Sequence, residues 1–366
     1  MNKKNIVFFL PNFSYGGAGK SILNICKNLS KKKYDIFVIS LNKNYYKKDL
    51  QEYCKEIVEI KSTRTLLSLI KIKTYITRFD KDRTLLVSNI NYANALFVIY
   101  FKLFNNFKVI LIERTPFQEL FIYFGTRDFI KKFIIKVIVK YFYRFADEII
   151  ANSKKISKDF TNYTKKKCKY IYPLTLNKIK KSKKKILTKK QKIDILTISR
   201  LSKEKNLIEQ LKAVKNLKSQ RFFLNIVGDG EQKEKLENFI KLNKINAKIY
   251  KYSEKNKINL LKICKLYICS SYFEGFPNAV LEAINYNLPI ISSKNHGGIY
   301  EIILNKRGGD LYQTGNEQEL KKILMEFQNN YKKKLKKNLI AKKFLNRFTT
   351  RNIKQYEKIF DKNLLN

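Results

Sequence analysis

With 366 residues and 44% hydrophobic content, the chain is long for one compact domain and comfortable for two, each burying its own core, which excludes a disordered tail. Its 77 Lys and Arg against 30 Asp and Glu give a formal charge of +47. Such a charge attracts polyanions, whether nucleic acid, an anionic membrane surface or phosphate-bearing substrates. The lysines run along the whole chain beside frequent Asn, Ile and Tyr, a pattern that a biased genome and a solvated lysine surface also produce.

At the start, Lys3 and Lys4 precede only Ile6 to Leu10 before Pro11, too short an apolar run for a secretory signal. No later run approaches the length of a membrane span, so the protein is expected to stay cytoplasmic. Cys26, Cys54, Cys168, Cys264 and Cys269 are odd in number and contain no Cys-x-x-Cys, which reads as reduced thiols rather than a disulfide frame or zinc site.

Short apolar runs alternating with helical patterns argue for parallel βαβ units. Strands are predicted near 5–10, 35–41, 84–88, 107–113, 147–151 and 168–172. The stretch from Lys178 to Lys192 is crowded with lysines and lacks an apolar period, which makes it a candidate basic linker. A second series of strands is predicted near 193–199, 222–227, 247–251, 266–270 and 288–292. The expected fold is α/β, with two Rossmann-like doubly wound domains, 1–177 and 193–349, facing across a cleft outside the carboxyl ends of their sheets.

Within the first half, Phe129 to Arg144 is apolar on much of its circumference, with Lys132, Lys136, Lys140 and Arg144 spaced four apart beside Phe133, Ile134, Val137 and Tyr141. A helix would gather these into a drifting basic stripe suited to an anionic membrane, or to packing on the sheet with a solvated basic face.

The strongest chemical signal is Glu274-Gly275-Phe276-Pro277-Asn278-Ala279-Val280-Leu281-Glu282-Ala283, which follows an apolar strand and opens a helix. Pro277 suits the first helical turn, where a missing N–H costs nothing. The turn before it presents backbone amides to a nucleotide diphosphate. Glu274 in the loop and Glu282 in the helix can then do different jobs, the first facing a sugar and the second reaching ribose hydroxyls; the alternative is two surface acids flanking a helix.

This segment resembles the signature of the family 4 glycosyltransferases, a Glu and a second Glu after seven residues in a Glu-Gly-Phe context. Ile198-Ser199-Arg200-Leu201 with Lys205-Asn206 looks like that family's motif gripping the donor diphosphate. Val227-Gly228-Asp229-Gly230-Glu231, Gly297-Gly298-Ile299 with Glu301-Ile302, and Gly16-Gly17-Ala18 resemble its other turns. The resemblance spans nearly the whole chain in order and is densest from 193 to 312.

What it implies is a GT-B glycosyltransferase acting with retention, its N-terminal domain on the acceptor, its C-terminal domain on the donor, and 350–366 packing back on the first domain. Glu274, Arg200 and Lys205 carry catalysis. Gly16, Gly17, Gly228, Asn278, Ala279, Val280, Leu281 and Glu282 hold the donor. Phe276 and Pro277 can face sugar or acceptor, and so can Arg114, whose alternative is an ordinary strand-end arginine. Arg200 offers a planar fork for phosphate and Lys205 a mobile point charge, so no metal or other cofactor is required. The expected partners are a uridine-diphosphate sugar, a glycan or lipid-linked acceptor, and the inner face of the cell membrane as a peripheral contact, with no specific nucleic acid. The expected setting is surface polysaccharide or lipopolysaccharide biosynthesis. The rival readings are a nucleic-acid-binding protein, suggested by charge alone, and an inactive relative.

Three features point elsewhere and are set aside. Gly16 to Ser21 imitates a phosphate-binding loop, but Ser14 stands where the pattern needs glycine. Asp80-Lys81-Asp82 imitates a metal-binding Asp-x-Asp and reads as a solvated turn. The only histidine, His296, sits in a loop before Gly297 and is expected near the nucleotide rather than as a proton carrier.

Overall fold

The strand sequences are nearly continuous apolar runs, as a parallel sheet covered on both faces requires. In the computed structural model, which describes residues 3–13, 16–62, 65–181, 191–215, 217, 221–295, 297–327 and 329–364, these runs build two parallel sheets in two compact units. One unit is Met1–Thr175 with Phe348–Asn366, and the other is Leu176–Arg347.

The first unit contains β1 (Lys4–Phe9), β2 (Tyr34–Ser40), β3 (Glu56–Glu59), β4 (Thr84–Asn89), β5 (Lys108–Glu113), β6 (Glu148–Ala151) and β7 (Cys168–Tyr170), in the order β3-β2-β1-β4-β5-β6-β7. The two-residue period of the strands sorts their side chains into two cores. Val7, Phe9, Leu86, Val109 and Leu111 face one side, and Ile6, Phe8, Leu85, Val87 and Ile110 the other. On that second face lies the helix Ile353–Leu364, whose Tyr356, Ile359 and Phe360 are buried. The helix is fixed by polar contacts as well. Tyr34 donates to Asp361 Oδ1 at 2.6 Å and the Ser30 amide to Glu357 Oε1 at 3.0 Å.

The second unit contains β8 (Ile193–Ile198), β9 (Phe222–Val227), β10 (Ala247–Tyr250), β11 (Leu266–Cys269), β12 (Ile290–Ser293) and β13 (Asp310–Tyr312), in the order β10-β9-β8-β11-β12-β13. In each sheet the strand order reverses beside the first strand of the unit, between β1 and β4 and between β8 and β11. Doubly wound folds bind ligands outside the carboxyl ends of the strands at such a point.

Four expectations change. The edge strands β3 and β13 were not predicted, because Glu56-Ile57-Val58-Glu59 has only two apolar residues and β13 only three residues in all. The chain passes between units at 175/176 and 347/348 rather than at a basic linker. Residues 182–190 of that stretch lie outside the described residues, and its start is tied to the second unit: the Lys180 amide donates to Asn285 Oδ1 at 2.8 Å and Asn285 Nδ2 to Lys178 O at 3.0 Å. Pro277 stands just before the helix Asn278–Asn285 rather than inside its first turn.

The fourth change concerns the basic stripe. The helix is Thr126–Phe142, and its Lys132 is buried, donating to Ile122 O at 2.6 Å and pairing with Asp128 at 2.8 Å. A four-residue step advances about 40° around a helix. The stripe therefore begins on the inward face at Lys132, is half-buried at Lys136 and is exposed at Lys140 and Arg144.

Candidate active site

The carboxyl ends of β8 and β11 bring together two charges that lie far apart in sequence. Lys205 Nζ lies 2.8 Å from Glu274 Oε1, with side chains only 13% and 18% exposed. Ser271 donates to the same oxygen at 2.8 Å. Behind the pair runs a buried relay of hydrogen bonds. The Thr197 hydroxyl donates to Gln210 Oε1 at 2.6 Å, Gln210 Nε2 to Ser270 Oγ at 2.7 Å, and Ser270 Oγ to Lys205 O at 2.7 Å. A fully satisfied buried network of this kind rigidifies the groups it supports. Lys205 is thus fixed at its backbone and retains freedom only along its side chain.

Arg200 is different. It is 58% exposed and pairs with Glu204 at 3.0 Å, a surface contact worth little in stability that leaves the guanidinium free to turn towards an anion. Burial of Glu204 opposes its ionisation, but the Ser202 hydroxyl, Arg200 and Lys205 outweigh this and hold its pKa below the usual value.

Glycines bring the loops into backbone contact. A Cβ on Gly228 would lie 2.0 Å from Ser199 O, and the Leu201 amide bonds Asp229 O at 2.9 Å, so the loops after β8 and β9 are zipped together beneath Arg200. A Cβ on Gly297, at φ 135°, would lie 1.7 Å from Glu274 O, and the Gly298 amide bonds Gly275 O at 2.9 Å. The Phe276 ring is buried against Gly298, where an added Cβ would stand 2.3 Å from it. Phe276 therefore forms the floor of this loop pair.

The helix Asn278–Asn285 starts with no side-chain cap, so its partial positive charge points out of the strand ends. Val280 and Leu281 are fully buried, and only their backbone can serve a ligand; the Val280 amide is bonded to Pro277 O at 3.0 Å. Glu282 is held by a residue that sequence reasoning missed. Lys257, only 5% exposed, reaches Glu282 Oε1 at 3.1 Å and Glu254 Oε2 at 2.9 Å. A buried lysine needs such partners to keep its charge.

In the first unit, Gly16 precedes the helix Gly17–Asn28, which also lacks a side-chain cap. Arg114, just after β5, is buried, with all three guanidinium nitrogens bonded inside the unit. Nε and Nη2 donate to Asn89 Oδ1 at 3.0 and 2.9 Å, and Nη1 donates to Ser21 Oγ at 2.5 Å. It joins the ends of β4 and β5 to the glycine-loop helix at the switch point, a role that two distant partners give it and that its neighbours in sequence do not show.

Its neighbour Glu113 is fully buried. Tyr143 and Asn94 donate to Oε1 at 2.6 and 2.7 Å, while Oε2 has no hydrogen-bond partner among the described residues. Burial pushes its pKa up to about 7 against the pull of Tyr143 and Asn94. Between the ordinary carboxyl value and about 7, the unfolded chain has released this proton and the folded chain has not, so stability falls as pH rises through that window. The loss amounts to about 3 kcal/mol from this group. Glu113→Gln should flatten the decline of melting temperature between pH 5 and pH 8, and an unchanged slope would refute the assignment.

Among the features set aside, Asp80 and Asp82 form an exposed turn in which the Asp82 amide bonds Asp80 Oδ1 at 2.9 Å. None of the five cysteines is in a disulfide, and no metal-binding cluster occurs among the described residues. Ser14 and His296 lie outside the described residues. The structure thus gathers Arg200, Lys205, Gly228, Glu274, Asn278 and Glu282 at one end of the second unit's sheet, and Gly16, Gly17 and Arg114 at the corresponding end of the first.

Two Rossmann-like sheets, one with a lysine–carboxylate pair at its switch point, define a class of doubly wound α/β proteins that bind their ligands at the strand ends. The chain matches the family model for glycosyl transferases group 1 over residues 178–344. It is 30% identical over 313 residues to an uncharacterized glycosyltransferase of Methanocaldococcus jannaschii, covering 77% of this chain and 73% of that one. It therefore belongs to the glycosyltransferase family. It is 24% identical over 324 residues to the N-acetylgalactosamine-N,N'-diacetylbacillosaminyl-diphospho-undecaprenol 4-alpha-N-acetylgalactosaminyltransferase of Campylobacter jejuni, covering 85% and 87% of the two chains. Among solved structures, Anabaena HepE in complex with UDP-glucose superposes with a TM-score of 0.77 at 18% identity, covering 98% of this chain and 99% of that one, which establishes the shared GT-B fold.

Proposed function

We propose that this glycosyltransferase is a retaining family 4 enzyme that moves a sugar from a uridine-diphosphate donor to a glycan or lipid-linked acceptor. The carrying observation is the Lys205–Glu274 pair at the β8–β11 switch point, with Glu282 inside the following helix. Support comes from the relatives: the Campylobacter protein is named for an undecaprenol-linked substrate, and HepE was crystallised with UDP-glucose.

In this reading the donor diphosphate lies against the uncapped start of the helix Asn278–Asn285, with Arg200 and Lys205 as counter-charges. Breaking the bond from sugar C1 to phosphate oxygen leaves negative charge on the diphosphate, which fixed cations and amides stabilise where water is scarce. The acceptor hydroxyl joins C1 on the same face and its proton passes to the leaving phosphate. Glu274 positions the sugar and supports the positive charge that develops on it. Glu282 accepts from the ribose hydroxyls while Lys257 holds its carboxylate in place. The cations supply the charge that a metal ion would otherwise bring, so the reaction is metal-independent. The setting is surface polysaccharide or lipopolysaccharide synthesis at the inner face of the cell membrane.

The test is thermal stability against a panel of nucleotides and nucleotide sugars. Ligand at 100 times its dissociation constant adds roughly 2.7 kcal/mol, or about 5–10 °C. A uridine diphosphate should shift the midpoint without magnesium, and Glu282→Ala or Lys205→Ala should remove most of the shift. Lys257→Met should weaken the ribonucleotide about tenfold and its 2′-deoxy analogue far less, because the carboxylate it positions reads the ribose. No shift with any nucleotide in cooperatively unfolding protein would favour the inactive relative or the polyanion binder.

A further inference from the structure

The helix Thr126–Phe142 is apolar on both sides, which a helix at the surface of a water-soluble protein ordinarily is not. Its inward side buries Ile135 and Val139. Its outward side exposes Phe129, Ile130, Phe133, Ile134, Val137 and Tyr141, with Phe129 46% and Phe133 54% exposed. At about 100° per residue these six fall within one arc of about 140°, opposite the buried stripe. Just before the helix, Phe121, Tyr123 and Phe124 are exposed as well, and just after it Phe145.

Cations border this arc. Arg127 and Lys131 lie beyond one edge, Lys136 lies just outside the other and Lys140 just inside it, with Arg144 just beyond the helix end; all but the half-buried Lys136 are exposed. Lys136 lies over the Phe121 ring at 4.7 Å and donates to Tyr123 OH at 3.0 Å, which covers ring faces while its charge stays at the rim. The acid in the first turn of this helix, Asp128, is neutralised by Lys132.

We propose that this face docks on an anionic lipid bilayer, with the aromatic and aliphatic arc entering the headgroup boundary and the flanking cations meeting lipid phosphates. Charge complementarity selects the occupant. A second copy of a chain carrying +47 would bring like charge against like at every edge of the arc, whereas an anionic leaflet matches the rim and accepts the apolar centre. A basic, aromatic helix lying in the interface plane needs no spanning segment, and no described helix is long and apolar enough to cross a membrane. The inference deepens the proposed function by naming the surface that meets the membrane. Its test uses neither donor nor acceptor, so failure of docking and failure of that reading stay distinct.

The experiment is co-sedimentation of the full chain with vesicles of phosphatidylcholine alone and of phosphatidylcholine mixed with phosphatidylglycerol. The wild type should bind the mixed vesicles strongly, the neutral ones weakly, and lose affinity as salt rises. Lys131→Gln and Lys140→Gln should each weaken binding about fivefold. Phe129→Ser with Phe133→Ser should weaken it by at least about a hundredfold. Both phenylalanines are exposed, so melting temperature and nucleotide-induced stabilisation should be unchanged, which separates lost docking from lost folding. Equal binding to both vesicle types, undiminished binding by the phenylalanine variant, or a change confined to oligomeric state would overturn the proposal.

Discussion

Glu274→Gln should lower turnover at least about a hundredfold while nucleotide affinity is kept or increased. The amide retains the shape of the carboxylate and an oxygen for Lys205 and Ser271, both now 2.8 Å from Oε1. What it removes is the negative charge. A fixed charge aimed at charge developing in the transition state is worth about 10²–10³ in rate, and it acts in the transition state more than in the bound ground state. Nucleotide binding responds the other way, because Lys205 without its counter-ion turns more readily to the diphosphate. Lys205→Met should show the converse: weaker nucleotide binding, together with a stability loss of about 1–3 kcal/mol from a partly buried carboxylate left without its cation. Turnover rates with a uridine-diphosphate donor, set beside nucleotide affinity for both variants, decide the matter. Retained turnover in Glu274→Gln would take the carboxylate out of the chemistry.

How much of this was legible in the sequence depends on the range of the interaction concerned. Strands such as Lys4–Phe9 and Ile193–Ile198 announce themselves, because burial on both faces demands an apolar run. Glu274 and Glu282 are found through local spacing. Lys257 is not, because a buried lysine that holds Glu282 looks the same in sequence as the many that line the surface. The four-residue spacing of Lys132, Lys136, Lys140 and Arg144 is visible, but not which end of that drifting stripe faces the core. Arg114 was placed at a strand end, yet its partners Ser21 and Asn89 come from elsewhere in the chain. The glycines show the same split. Their positions match the family pattern, but the reason the structure gives for Gly228 and Gly297 is contact between loops remote in sequence.

That reason makes the second large effect. Gly297→Ala should destabilise the second unit by about 2–4 kcal/mol and reduce turnover with it. A positive φ costs a non-glycine residue about 1–3 kcal/mol by itself. Here the new Cβ would also stand 1.7 Å from Glu274 O and 2.9 Å from Gly275 O, both backbone atoms, so relief requires moving the loop that carries Glu274. Gly125 supplies the control. It has nearly the same φ, 140° against 135°, but nothing lies within 4 Å of its added Cβ. Gly125→Ala should therefore show backbone strain alone, with donor turnover intact, while Gly297→Ala loses turnover at temperatures where it is still folded. Equal turnover in the two variants would mean that the Gly297 contact does not hold Glu274 in place. A selective loss in Gly297→Ala would show that the loop pair, and not the carboxylate alone, is the unit on which catalysis depends.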